Sequence, residues 1–140
     1  MLTDKDRMDT ERRFVISPVD RLGRAIRASL TPDLLKPEYR HLTRPYAGHC
    51  YVATEAYYHM SGGASSGLKP RVLRHEGSTH WCLARPDGEL VDLTAEQFET
   101  PVPYQTGKHC PFQASTPSAR ARELIRRALA ADPSLAAVAR

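Results

Sequence analysis

The stretch THWCLARPDGELVDL, residues 79–93, predicts a β-hairpin. Apolar and β-branched residues flank Pro86-Asp87-Gly88, a tripeptide typical of a type I turn followed by a left-handed glycine. A three-residue loop of this kind places Arg85 opposite Glu89. We therefore expect two antiparallel strands, over residues 79–84 and 89–93, whose register is set by the turn.

This register predicts which side chains share a face of the sheet. Counting back from the turn places Cys82 opposite Asp92, and side chains alternate with period two along a strand. His80, Cys82, Leu90 and Asp92 are therefore expected on one face, with His80 and Asp92 as diagonal neighbours. Such neighbours are about 7–8 Å apart at the backbone, a gap that these two side chains can close with a hydrogen bond.

Upstream of the hairpin, GHCYVATEAYYHM at residues 48–60 predicts a helix that ends before Ser61-Gly62-Gly63. We expect one buried stripe on this helix, with Glu55 and Tyr58 pointing elsewhere. Cys50 lies at the start of the helix, where free N–H groups and the helix dipole favour a thiolate. The predicted stripe consists of Cys50, Ala53, Ala56, Tyr57 and Met60.

The remaining segments complete an α+β fold in which helices pack on a small antiparallel sheet. Residues 1–13 are polar and aperiodic and are expected to form a flexible tail, while 14–140 form a single domain. Ser17-Pro18 predicts a helix capped by Ser17, and residues 70–74 predict a further strand. A C-terminal helix is expected from Thr116-Pro117 until Pro133.

A cysteine at the start of a helix is followed along the chain by His and then by Asp, which share one face of the sheet. This order predicts a thiol enzyme. Such enzymes need a thiolate, an imidazole that takes up and returns a proton, and a third group that fixes the imidazole tautomer. Cys50, His80 and Asp92 match these roles in turn. The order is that of papain-like, NlpC-like and transglutaminase-like folds.

Four segments resemble the YunG-like group of small bacterial and phage proteins. They are GHC at 48–50, HW at 80–81, VDLTAEQF at 91–98 and the proline-rich stretch ending at Tyr104. The resemblance runs from about Gly48 to the C-terminal helix and implies a compact relative of the papain-like superfamily. It likewise places the Cys, His and Asp roles at Cys50, His80 and Asp92.

Composition narrows the class of partner. The 140 residues carry a net charge of +4, and no stretch approaches the ~20 apolar residues of a bilayer span. Basic residues are scattered among acidic ones, so we expect neither a membrane nor a nucleic-acid partner. The N-terminal residues lack an apolar segment and three cysteines give no disulfide framework, so we expect a soluble, cytoplasmic protein with free thiols.

These observations predict a hydrolase or acyl transferase that acts on a peptide, isopeptide or other amide carbonyl through a Cys50 thioester, without a cofactor. The substrate is expected to be a peptide or protein that presents a carboxamide or acyl group. Loops on a rigid scaffold commonly carry recognition, which directs attention to the loops near the triad. The expected substrate contacts are Tyr46, His49, Trp81, Tyr104 and Gln105, although Trp81 also fits a place in the core.

Two alternatives remain open from the sequence. Cys50, His80, His109 and Cys110 include good zinc ligands, but no closely spaced ligand pair supports a zinc site. A non-enzymatic interaction module with a basic surface is the other alternative. Cys82 and Cys110 are expected to be unreactive because neither lies at a helix terminus.

Overall fold

The computed structural model describes residues 14–41 and 46–138, and the predicted tail at 1–13 lies outside them. Within the described ranges the fold is α+β, as expected, with helices packed on a four-stranded antiparallel sheet. The helices are α1 (Arg21–Ala28), α2 (Cys50–Met60), α3 (Ala119–Ala131) and α4 (Leu135–Val138), and the strands are β1 (Lys69–His75), β2 (Ser78–Ala84), β3 (Leu90–Val91) and β4 (Lys108–His109).

The predicted hairpin register is confirmed. Leu83 lies opposite Val91, and the backbone N–H of Arg85 donates to the Glu89 carbonyl at 2.8 Å. Gly88 has a φ of +92°, in the left-handed region that the turn requires and that glycine enters without a steric cost. The β3 ladder is shorter than expected, since it covers only Leu90–Val91.

The sheet order β3-β2-β1-β4 places the β2–β3 hairpin at one edge. Residues 14–17 cover the outer side of β3, where the Leu90 backbone N–H donates to the Val15 carbonyl and its carbonyl accepts from Ser17 N. This pairing is a parallel bridge centred on Ile16, so the sheet edge is partly shielded by the chain itself.

The expectation that Ser17 caps the first helix is wrong. Helix α1 begins at Arg21, and the Asp20 carboxylate accepts from the Gly23 backbone N–H at 2.8 Å. Ser17 is instead occupied at the sheet edge, where its hydroxyl donates to Glu89 at 2.8 Å. The Ser17 hydroxyl also accepts from Arg85 at 3.1 Å, so it is held at the sheet edge and does not reach the N–H groups of the helix.

The core lies between α2, the inner face of the sheet, α1 and α3. Tyr57 joins three of these elements, because its hydroxyl donates to Asp20 at 2.7 Å and accepts from Arg85 at 2.8 Å. Burial and the hydrogen bond to Asp20 raise the pKa of Tyr57 to about 12, so the phenol keeps its proton at neutral pH. The core includes Ile26, Val52, Ala53, Ala56, Tyr57, Met60, Leu83, Val91, Leu93, Leu124 and Ala128.

Glu55, which the predicted stripe leaves out, is nevertheless buried, and only 2% of it is exposed. Its carboxylate accepts from the backbone N–H and the hydroxyl of Ser118, both at 2.7 Å. Ser118 is the N-cap of α3. A buried carboxylate therefore fastens the start of the C-terminal helix to α2, where the helix dipole also favours negative charge.

Glu55→Gln is expected to lower the free energy of unfolding by about 1–3 kcal/mol. Each carboxylate oxygen accepts from one Ser118 donor, whereas the glutamine amide has a single oxygen, so one of the two donors would face an N–H group. Urea unfolding of the variant measures this loss. Glu38→Gln, at an exposed position, is the matched control and is expected to leave stability unchanged. Equal unfolding midpoints for the two variants would contradict the capping role of Glu55.

Candidate functional site

His80 and Asp92 form a buried pair. The His80 side chain is fully buried, and its Nε2 lies 2.7 Å from Asp92 Oδ2. Because a carboxylate can only accept, Nε2 carries the proton and Nδ1 is left as the basic atom. The predicted hydrogen bond between these diagonal neighbours is confirmed.

Asp92 is held by two further donors. The Tyr104 hydroxyl donates to Oδ2 at 2.7 Å, and the Thr94 backbone N–H donates to Oδ1 at 3.1 Å. Burial, together with the negative charge of Asp92, raises the pKa of Tyr104 above its usual value, so the phenol stays a donor. Tyr104 was expected to contact substrate, and the structure places its hydroxyl on Asp92.

Cys50 is the first residue of α2 and is 7% exposed. Its thiol lies 3.6 Å from the Thr79 carbonyl, one residue before His80 on β2, and it is close enough to the His80 ring to raise the pKa of that imidazole. The N-cap residue, His49, makes no side-chain hydrogen bond to the helix, so it does not compete for the first-turn N–H groups. The structure therefore brings Cys50, His80 and Asp92 together.

The charge on His80 depends on opposing influences. Burial by itself lowers the pKa of His80, but the hydrogen bonds to Asp92 and Cys50 and their negative charges outweigh it and raise the pKa above its usual value. Both partners thus favour an imidazolium. If a proton moved from Cys50 to His80, the start of the helix would stabilise the resulting thiolate and Asp92 would stabilise the resulting imidazolium.

Gln97 belongs to the same site, although sequence reasoning did not single it out. Its Nε2 lies 3.0 Å from His80 Nδ1 and 3.3 Å from Thr94 Oγ1, while its Oε1 accepts from the Gly48 backbone N–H at 3.3 Å. The amide thus joins the loop before Cys50 to the imidazole. Its position five residues after Asp92, within the VDLTAEQF segment, was the only sequence signal for it.

Phe98 covers His80, with its ring edge-on to the imidazole at a centroid distance of 4.8 Å. The β1–β2 turn holds the segment that carries Phe98, because the Glu76 carboxylate accepts from the backbone N–H of Glu99 at 3.1 Å and of Thr100 at 2.8 Å. The Thr100 hydroxyl, which also donates to Glu76, and these backbone donors lower the pKa of Glu76, so the carboxylate stays charged. The ring shields the Asp92–His80 hydrogen bond from water, which strengthens it.

The other residues that we expected to contact substrate lie at varied places. His49 is 6% exposed and its Nε2 lies 3.0 Å from the Thr31 carbonyl, which anchors the loop before α2. Tyr46 accepts a hydrogen bond from Arg27 at 3.0 Å, and the same guanidinium lies over its ring. Gln105 is exposed beside Tyr104.

Trp81 projects away from His80, since neighbouring side chains on a strand point to opposite faces. Its ring meets Tyr51 edge-on at 4.9 Å and stacks on Phe112 at 5.7 Å. Trp81 is half-buried in this aromatic cluster and does not belong to the hydrophobic core. Trp81 therefore lies on the other face of the sheet from the Asp92–His80 pair.

The other two cysteines lie in different surroundings. Cys82 is fully buried, and burial together with the charge of Asp92 raises its pKa to about 12, so it stays a thiol at neutral pH. Cys110 follows β4, and the sheet order separates that strand from β2 by β1. All three cysteines are free thiols.

Among residues 14–41 and 46–138, no group of three His, Cys, Asp or Glu side chains is arranged to hold a metal ion. His109 pairs with Arg71 at the far edge of the sheet, so the sheet does not bring it to His80. None of the helices in these ranges has the length and apolar character needed to cross a membrane. No protein-family model, curated protein or solved structure matches the chain.

Proposed function

We propose that this protein is a cysteine-nucleophile enzyme, a hydrolase or acyl transferase that acts on an amide or peptide carbonyl. Cys50 is the nucleophile, His80 the base and later acid, and Asp92 the group that orients His80. The observation that carries the proposal is a single imidazole whose Nε2 lies 2.7 Å from a buried carboxylate and whose pKa is raised by that carboxylate and by the neighbouring Cys50 thiol.

In the first half-reaction, His80 Nδ1 takes the Cys50 proton and the thiolate attacks the carbonyl carbon. The carbon–nitrogen bond then breaks, and the proton on Nδ1 passes to the departing amine. The products are a Cys50 thioester, a free amine and a neutral imidazole. Asp92 keeps its hydrogen bond to Nε2 throughout and stabilises the transient imidazolium.

In the second half-reaction, a water molecule or an amine attacks the thioester while Nδ1 takes its proton. The carbon–sulfur bond breaks, and the thiolate recovers its proton from the imidazolium. Water gives a carboxylic acid, which is hydrolysis or deamidation, whereas an amine gives a new amide. The chemistry requires no cofactor, because the thiol supplies the nucleophile and the imidazole carries the proton.

The resemblance to the YunG-like group supports the same assignment, since it implies these three roles at Cys50, His80 and Asp92. A papain-like relationship, and a substrate that is a peptide or protein with a carboxamide or acyl group, are parts of this proposal. We further propose a cytoplasmic location, where the three free thiols stay reduced.

An electrophilic acyl probe tests the proposal. A peptide carrying an activated ester is expected to acylate Cys50 and to leave a thioester that mass spectrometry locates after proteolysis. Cys82→Ala and Cys110→Ser are the matched controls, and both variants are expected to keep at least half of the acylation rate, because these thiols lie outside the triad.

Cys50→Ala is expected to abolish the adduct. An adduct that persists in the Cys50→Ala protein, or that is lost in a folded Cys110→Ser protein, would move the nucleophile to another residue. Circular dichroism of each variant establishes that the comparison is made between folded proteins.

A further inference from the structure

The orientation of the Gln97 amide follows from the group on its far side. Its Oε1 lies 3.3 Å from the Gly48 backbone nitrogen, and its Nε2 lies 3.0 Å from His80 Nδ1. A backbone N–H can only donate, so the amide atom that faces Gly48 is the oxygen. The amide nitrogen therefore faces His80, and it also has an acceptor in Thr94 Oγ1 at 3.3 Å.

This orientation selects one form of the imidazole. The amide N–H donates to Nδ1 only while Nδ1 keeps its lone pair, and Nε2 already carries a proton toward Asp92. The ring is then neutral. If Nδ1 takes up the Cys50 proton, two donors face each other, and the Gln97 amide must turn and give up its contact with Gly48 or with Thr94.

We propose that Gln97 is a positioning residue that stabilises neutral His80 and so limits how readily Nδ1 takes up the Cys50 proton. The inference rests on the proposed function, in which that proton transfer creates the nucleophile. Asp92 and Cys50 act in the opposite direction, because their negative charges favour the imidazolium. Gln97 thus opposes the effect of these two negative charges on the protonation of His80, although it carries no charge itself.

The titratable groups around His80 come from four elements. Cys50 at the start of α2 and Asp92 after β3 face the ring directly. Cys82, two residues along β2, and Tyr104, bound to Asp92, stay protonated at neutral pH because their pKa values are raised. His75 lies beyond Phe98, whose ring meets both imidazoles edge-on at 4.8 Å.

Gln97→Met tests the inference, because methionine fills a similar volume and lacks the donor. Loss of one hydrogen bond to the neutral ring is expected to raise the titration midpoint of His80 by about half to one pH unit, a roughly three- to tenfold change in its protonation equilibrium. Ring ¹⁵N chemical shifts of the full-length protein measure that midpoint. The plateau of the pH profile of Cys50 alkylation by iodoacetamide is expected to rise by up to the same factor, because more Cys50 has passed its proton to Nδ1.

Gln113→Met is the matched control, because Gln113 is an exposed glutamine in the segment after β4, and it is expected to change neither profile. Thr94→Val is a second variant that removes one acceptor of the amide and loosens its orientation. It is expected to shift His80 in the same direction by less. If Gln97→Met does not fold, the titration midpoint of His80 in Thr94→Val tests the role of Gln97.

An unchanged or lowered His80 midpoint in folded Gln97→Met would overturn the role of Gln97. If Cys50 were still alkylated faster than Cys82 and Cys110 in that protein, the proposed function would stand without it. Equal alkylation of all three cysteines in the unaltered protein would instead contradict the proposed function. The ¹⁵N titration would still decide whether Gln97 acts on His80, because it does not depend on a thiolate.

Discussion

His80→Ala is expected to slow the alkylation of Cys50 by iodoacetamide near pH 6 by about ten- to a hundredfold. Iodoacetamide reacts with the thiolate, and an ordinary thiol with a pKa of about 8.5 is less than one per cent ionised at that pH. In the proposed mechanism, the His80 imidazolium is the partner that stabilises the Cys50 anion. The start of α2 contributes less, since a helix dipole stabilises a nearby anion by about 0.3–1 kcal/mol.

Peptide mapping after brief labelling measures the rates at the three cysteines in one sample. His49→Ala is the control, because His49 is the residue beside Cys50 and is bound to the Thr31 carbonyl rather than to the triad. It is expected to lower the rate at Cys50 much less than His80→Ala does. A Cys50 rate that is unaffected by His80→Ala would show that no ion pair activates this thiol.

Asp92→Asn is expected to reduce turnover of an acyl substrate by about 10²- to 10⁴-fold while Cys50 remains open to alkylation. An asparagine can present its amide N–H to His80 Nε2, which then becomes the acceptor and moves the ring proton to Nδ1. The atom that must take the Cys50 proton is thereby blocked. The imidazolium would also lose the negative charge that stabilises it.

Tyr104→Phe provides the graded comparison. It removes one of the three hydrogen bonds to Asp92 but leaves the carboxylate, so turnover is expected to fall by about tenfold or less. The ratio of turnover to alkylation rate is the quantity to compare between the two variants. Similar losses of both quantities in Asp92→Asn would point to a misfolded site rather than to a misoriented imidazole.

The part of the site that sequence predicted depends on local geometry. The Pro86-Asp87-Gly88 turn sets the register, and the period of two in a strand then places His80 and Asp92 on one face, as the 2.7 Å hydrogen bond shows. The run without helix breakers and the preceding Gly48 predicted a helix with Cys50 at its start, and helix α2 does begin at Cys50. Such interactions join residues that are close in sequence, so they can be predicted from the sequence alone.

The rest of the site was decided by tertiary packing. Gln97, Phe98 and Tyr104 lie in an irregular segment after β3, where neither helical nor strand periodicity tells which way a side chain points. The β1–β2 turn holds that segment through Glu76, which lies more than twenty residues away in sequence.

Tertiary contacts also explain why the predicted cap was wrong and why Glu55 is buried. Ser17 is a good cap by its residue type, but Glu89 and Arg85 hold its hydroxyl at the sheet edge, and Asp20 is the cap. Glu55 lies outside the predicted stripe, and its carboxylate is buried against Ser118 at the start of α3. Local patterns therefore determined the pairing of His80 with Asp92, whereas contacts between segments distant in sequence determined what surrounds that pair, because a side chain's partners depend on which other elements pack against it.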